Sequence, residues 1–72
     1  MEEVVFLEKL AQRIKEIRIA KGMSQQELAA QIDYEKSNMS RLESGSVNPK
    51  IYTLYIVAKA LNVSLKSLVD IE

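Results

Sequence analysis

The 72-residue chain contains no cysteine and no histidine, one proline and two glycines. Without cysteine there are no disulfides and no thiolate metal ligands, which fits a reducing compartment. Without histidine the commonest general base and the commonest metal ligand are missing. No phosphate-binding glycine loop and no carboxylate pair suited to acid–base work stands in their place. A chain this short also leaves little volume for a substrate cleft. These absences argue against an enzyme, and no metal, cofactor or small-molecule ligand is expected. Long apolar runs are missing too, so no membrane span is expected. The start, Met1-Glu2-Glu3-Val4-Val5-Phe6-Leu7-Glu8, is acidic where a secretory signal would be basic. The expectation is a soluble, cytoplasmic protein. Few residues break a helix, and 47% are hydrophobic, enough for a small core. One all-α domain over residues 1–72 is expected, with its core over 7–69.

Net charge is absent as well: ten basic residues cancel ten acidic ones. Taken as a sum, this speaks against nucleic-acid binding, because phosphate contacts need Lys and Arg. Distribution matters more than the sum. Glu2, Glu3 and Glu8 load the first eight residues, and Asp70 and Glu72 load the tail. Between Lys36 and Lys50 the bases Lys36, Arg41 and Lys50 stand against the single acid Glu43. The acids lie largely at the ends, and the middle is mildly basic.

What is present is helical periodicity. Leu7, Leu10, Ile14 and Ile17 recur at spacings of three and four, one face of a helix. Lys9, Arg13, Lys15 and Glu16 fill the other face. Gly22 suits the left-handed residue that follows a helix end. Ser24-Gln25-Gln26-Glu27 has the form of a capping box and opens a second helix with Leu28, Ala29 and Ile32 inward. Asp33-Tyr34-Glu35 interrupts the period, and Asp tolerates a left-handed turn. A third helix is predicted over 36–44, with Met39 and Leu42 buried and Lys36, Ser37, Ser40 and Arg41 outside. Asn38 falls at the edge, and Gly45 ends the helix. A fourth helix is predicted over 51–61, with Leu54, Val57, Ala58 and Leu61 inward. Asn62-Val63 turns the chain, and Ser64 caps a last short helix with Leu65, Leu68 and Val69. Helices two and three, joined by about three residues, form a helix-turn-helix. The small Ala29 stands where they cross. The second of them leaves a polar face exposed, and a helix of that width fits the major groove of B-DNA.

Residues 24–45 resemble the helix-turn-helix of the phage Cro/repressor, or Xre, family. The match is carried by Ser24-Gln25, Leu28-Ala29 and Ser40-Arg41-Leu42-Glu43-Ser44-Gly45. Ile14-Lys15-Glu16-Ile17-Arg18, Asn48-Pro49 and Ala58-Lys59-Ala60-Leu61-Asn62-Val63-Ser64 extend it over roughly residues 7–69. The resemblance implies a compact five-helix, lambda-repressor-like DNA-binding domain. It implies that Lys36 and Ser37 face base edges, with Asn38 and Arg41 the next candidates. Arg can pair bidentately with guanine. It implies phosphate contacts for Gln25, Asn48 and Lys50, which set register rather than sequence. It also implies an ion pair between Arg18 and Glu43, which holds the recognition helix at its angle. Two positions depart from the family pattern: Asp33 stands where Gly is frequent in the turn, and Glu35 where Ser or Thr caps the recognition helix. Glu35 either lowers nonspecific binding or reads a cytosine amino group.

Tyr52 and Tyr55, three apart, share a helix face with access to Ile56, and Val69 and Ile71 add apolar surface in the tail. Val4 to Leu7 offers more. So much apolar surface on a small chain suggests a homodimer through these residues. Dimers of this motif read two half-sites about 34 Å apart, so the site on DNA is expected to be a near-palindrome. The leading expectation is a sequence-specific regulator of transcription acting on double-stranded DNA. The alternative is a protein-interaction module, such as an antitoxin that captures a protein partner.

Overall fold

In the computed structural model, which describes residues 1–72, Gly22, Asp33, Gly45 and Asn62 have φ of 71°, 53°, 81° and 58°. Each follows the end of a helix. The elements are α1 (Glu3–Ala20), α2 (Gln25–Gln31), α3 (Lys36–Ser44), α4 (Ile51–Ala60) and α5 (Leu65–Leu68), with no strand. After each of the first four helices the same pair of hydrogen bonds closes the end. The left-handed residue donates three residues back, and its successor donates five back: Met23 to Arg18, Tyr34 to Ala29, Ser46 to Arg41 and Val63 to Ala58, at 2.8–3.1 Å. This is the Schellman motif, and its successor residue commonly packs inward. Met23, Tyr34 and Val63 do pack against the core. Asp33 therefore fills the glycine position of the turn at a modest backbone cost, because Asp and Asn visit the left-handed region more readily than other side chains.

Helix starts divide into two kinds. At α2 the Ser24 Oγ accepts from the Glu27 N–H at 3.0 Å, and Glu27 Oε1 accepts from the Ser24 N–H at 2.8 Å. At α5 the Ser64 Oγ accepts from the Ser67 N–H at 3.0 Å. By contrast, Glu35 and Lys50 precede α3 and α4 without capping them. The capping box holds the Glu27 carboxyl below its ordinary value of 4.5, first through the Ser24 backbone N–H and then through its hydroxyl. A depressed carboxylate contributes stability that is present above its unfolded pKa and lost as pH falls through the lower folded value. Acid below pH 4.5 is therefore expected to remove this contribution. The melting temperature of the wild type should fall more steeply there than that of Glu27→Gln. Parallel acid limbs would show that the ionised Glu27 carboxylate contributes nothing.

The core joins all five helices. Leu10 and Ile14 of α1 meet Leu28 and Ala29 of α2, Met39 and Leu42 of α3, Leu54, Val57 and Ala58 of α4, then Leu61 and, from α5, Leu68. Helix α1 packs on α3 and α5, α2 on α3 and α4, and α4 on α5. Helix α3 is thus held from two sides, and only its outer face is free.

Three features differ from the expectations. Helix α1 begins at Glu3, so Val4, Val5 and Phe6 are helical, and all three are exposed. Three apolar residues in succession cannot share one helical stripe. Arg13, placed on the solvent face by the charge pattern, is half-buried. Its Nε donates to the Ser67 carbonyl at 2.9 Å and its Nη2 to the Ser67 Oγ at 3.2 Å, tying α1 to α5. Val69, expected within the last helix, instead follows α5 as its C-terminal cap, and it is exposed.

Candidate nucleic-acid interface

Helix α3 is amphipathic for a simple reason. Met39, Leu42 and Glu43 are buried, whereas Lys36, Ser37, Ser40 and Arg41 are exposed. At about 100° per residue these four side chains, with the exposed Ser44 between them, spread over an arc of roughly 140°. Asn38 lies at the border of that arc and is half-buried. Its Oδ1 accepts a hydrogen bond from Arg41 Nη2, one turn further on. The far end of α3 rests directly on α1. A Cβ at Gly45 would stand 3.1 Å from Glu8 Cα and 3.3 Å from the Leu7 carbonyl oxygen, so this position needs glycine for space as well as for its φ.

One buried carboxylate holds the unit together. Glu43 Oε2 accepts from Arg18 Nε at 2.7 Å, and Glu43 Oε1 accepts from Arg18 Nη2 at 2.9 Å. The side chains of Arg18 and Glu43 are 9% and 2% exposed. The third arm of the guanidinium, Nη1, donates to the Met23 carbonyl at 2.7 Å. Gln25 Nε2 donates to the same Glu43 Oε1 at 3.2 Å. Helices α1, α2 and α3 therefore converge on Glu43, and every buried side-chain polar atom of the protein has a partner. The bidentate bond to Glu43 raises the Arg18 pKa further above the ordinary arginine value, against the opposing effect of burial. With the Glu43 charge spent on Arg18, the exposed charges between residues 36 and 50 are all positive: Lys36, Arg41 and Lys50.

The other expected contact residues sit around α3. Gln25 opens α2 half-buried, with one amide hydrogen turned inward to Glu43 and the other left free. Lys50 is exposed at the head of α4. Asn48 is exposed in the loop before it, and its Nδ2 reaches Glu3 Oε2 at 3.5 Å. The acidic first turn of α1 thus borders this loop. Tyr52 and Tyr55 are 65% and 45% exposed on α4. Their ring centroids are 6.1 Å apart, and Lys59 Nζ stands 5.6 Å from the Tyr55 centroid. Ile56 and Ile71 are half-buried, and Ile71 gives part of its surface to the core. An open groove of about 550 Å³ runs between the end of α2 and α4, lined by Ile32, Tyr52, Ile56 and Ala60 among others. No group of His, Cys, Asp and Glu side chains is arranged to hold a metal ion. No helix is long and apolar enough to cross a membrane.

Two of these contacts were not visible in the sequence pattern. The Met23 carbonyl is a backbone acceptor and leaves no trace in residue type. The Gln25–Glu43 bond joins residues 18 apart, and only the shared convergence of α1 and α2 on Glu43 of α3 explains it.

The family model for helix-turn-helix proteins of the HTH_3 type matches residues 14–68. The chain belongs to the HTH_3 family. An HTH-type transcriptional regulator of Sinorhizobium fredii is 42% identical over 53 residues, which are 74% of this chain and 69% of the relative. The control protein C.BamHI of Bacillus amyloliquefaciens is 35% identical over 60 residues, covering 82% and 74% of the two chains. Among solved structures, the restriction-modification controller protein C.AhdI of Aeromonas hydrophila superposes with a TM-score of 0.83 at 34% identity, over 86% of this chain and 94% of that one. In this HTH_3 domain, α2 and α3 are the helix-turn-helix and Asp33 is the left-handed residue between them. The family is one of DNA-binding transcriptional regulators, and the five-helix fold is the one its members share.

Proposed function

We propose that the protein regulates transcription by binding double-stranded DNA sequence-specifically as a homodimer, with α3 in the major groove of each half-site of a near-palindromic operator. One observation carries the reading: the outer face of α3 presents Lys36, Ser37, Ser40 and Arg41 to solvent, while a buried ion pair fixes the helix from behind. Lys36, Ser37, Asn38 and Arg41 are the residues placed to face the bases. Gln25, through its free amide hydrogen, Asn48 and Lys50 contact phosphates.

The dimer reading draws on size and surface. The monomer measures 31 Å along its longest axis. Two recognition helices about 34 Å apart therefore call for two copies. Tyr52, Tyr55 and Ile56 on α4, with Val69 and Ile71 in the tail, supply the interface. The exposed tyrosines are large amphipathic groups of the kind enriched in interface cores. The named relatives C.BamHI and C.AhdI support the regulatory reading.

Binding of duplex DNA across a salt series tests the DNA half of this reading. Affinity is expected to fall linearly on a log–log plot as counterions are released. Absence of binding at low salt would shift the function to capture of a protein partner. Within that experiment, Lys50→Ala should weaken binding to all sequences alike and reduce the slope by about 1. An unchanged slope would remove Lys50 from the phosphate contacts. Arg41→Ala should cost about 1–3 kcal/mol on the preferred site and relax base preference at one position. Equal loss on every sequence would make Arg41 a phosphate contact.

A further inference from the structure

We infer that Asn38 is a positioning residue for Arg41 and not a base reader in its own right. The inference rests on the DNA-binding reading above and revises one assignment within it. Asn38 sits at the edge of the exposed arc, half-buried, where its short side chain reaches along the helix surface. The acceptor oxygen of its amide takes Arg41 Nη2. Arg41 is exposed, and its only side-chain partner in the protein is Asn38. A free arginine samples many rotamers and loses them on docking, a cost of roughly two- to tenfold in affinity for one rotamer-rich side chain. Bonding to Asn38 before DNA arrives removes part of that cost. It also sets the plane of the guanidinium. The fork carries five N–H donors, so one spent on Asn38 leaves enough to pair with O6 and N7 of a guanine. The spacing of three residues is what lets the two side chains meet on one helix face.

A double-mutant cycle read on DNA tests this. Wild type, Asn38→Ala, Asn38→Asp, Arg41→Ala and the Asn38→Ala/Arg41→Ala pair are titrated against the preferred duplex and against duplexes altered one base pair at a time. Asn38→Ala is expected to reduce discrimination measurably, by up to about two- to tenfold, the loss from freeing one side chain. The reduction should fall at the base pair that Arg41→Ala affects and nowhere else. In the Arg41→Ala background the same change should have no further effect. Asn38→Asp keeps the acceptor, so it should retain the preference at that base pair while its added negative charge weakens binding to every duplex. The inference is overturned if Asn38→Ala alters preference at a base pair that Arg41→Ala leaves intact. It is equally overturned if the effect persists in the Arg41→Ala background, or if Asn38→Ala changes no preference at all. A wild type without any sequence preference would overturn the DNA reading itself, and this inference with it. That outcome is seen before any variant is titrated.

Discussion

Arg18→Ala is expected to lower folding stability by about 3–5 kcal/mol, because it strands the Glu43 carboxylate in the interior. Glu43 is 2% exposed at the side chain, and Arg18 supplies both of its short charged hydrogen bonds. The same substitution frees the Met23 carbonyl at the end of α1. Small domains hold only about 5–15 kcal/mol in total, and in one of this size each kcal/mol moves the melting temperature by about 4–8 °C. A fall of roughly 12 °C or more in a thermal melt is therefore expected. Replacing both partners, Arg18→Met with Glu43→Leu, should restore most of the stability, since no unpaired charge remains. It should not restore DNA affinity in full, because Gln25 loses the acceptor that orients its amide. Wild-type melting of Arg18→Ala would mean that the pair contributes nothing to the fold. The pair does not act as a pH sensor from the arginine side. A group whose pKa is raised on folding contributes fully below its unfolded value and loses that contribution only as pH rises through the folded one. For Arg18 that window lies far above the neutral range.

Leu42→Ala is expected to cost about 2–5 kcal/mol, the range for truncating a buried leucine and leaving a cavity. Leu42 is 2% exposed, on the face of α3 opposite the exposed arc, and α3 packs on both α1 and α2. Denaturant unfolding should show a lower midpoint with an unchanged slope. The functional signature should be the reverse of that for Arg41→Ala. Leu42→Ala should lose stability while its folded fraction keeps the wild-type base preference. Arg41→Ala should keep stability and lose preference. If Leu42→Ala changed base preference at a temperature where it is fully folded, the core would be steering α3 and not only holding it.

The helix ends were the most legible part of the chain, because a left-handed residue is a local demand. Gly22, Asp33, Gly45 and Asn62 are the residue types that meet it cheaply, and each marks a real end. Leu10, Ile14, Leu28, Met39, Leu42 and Leu61 were legible from period alone and are all buried. The run Val4-Val5-Phe6 was harder, since adjacent apolar residues carry no helical period and α1 takes them in all the same. Arg13 shows another limit. It lies three after Leu10 and four before Ile17, on the flank of the stripe, but its charge argued for solvent. The decisive partner, Ser67, is 54 residues away. In the candidate site, the outward residues of α3 followed from the period, and their roles came through the family resemblance. The Arg18–Glu43 pair likewise came through resemblance, because two charges 25 residues apart leave no periodic mark. The orientation of Gln25 toward Glu43 and the Asn38–Arg41 bond depend on side-chain geometry that no spacing rule supplies.

Selection of bound duplexes from a random DNA pool at physiological salt tests the central claim most directly. The expected result is a near-palindromic motif whose two equal half-sites have centres about one helical turn apart. A pool that returns no enriched sequence would contradict a DNA-reading role for the exposed face of α3.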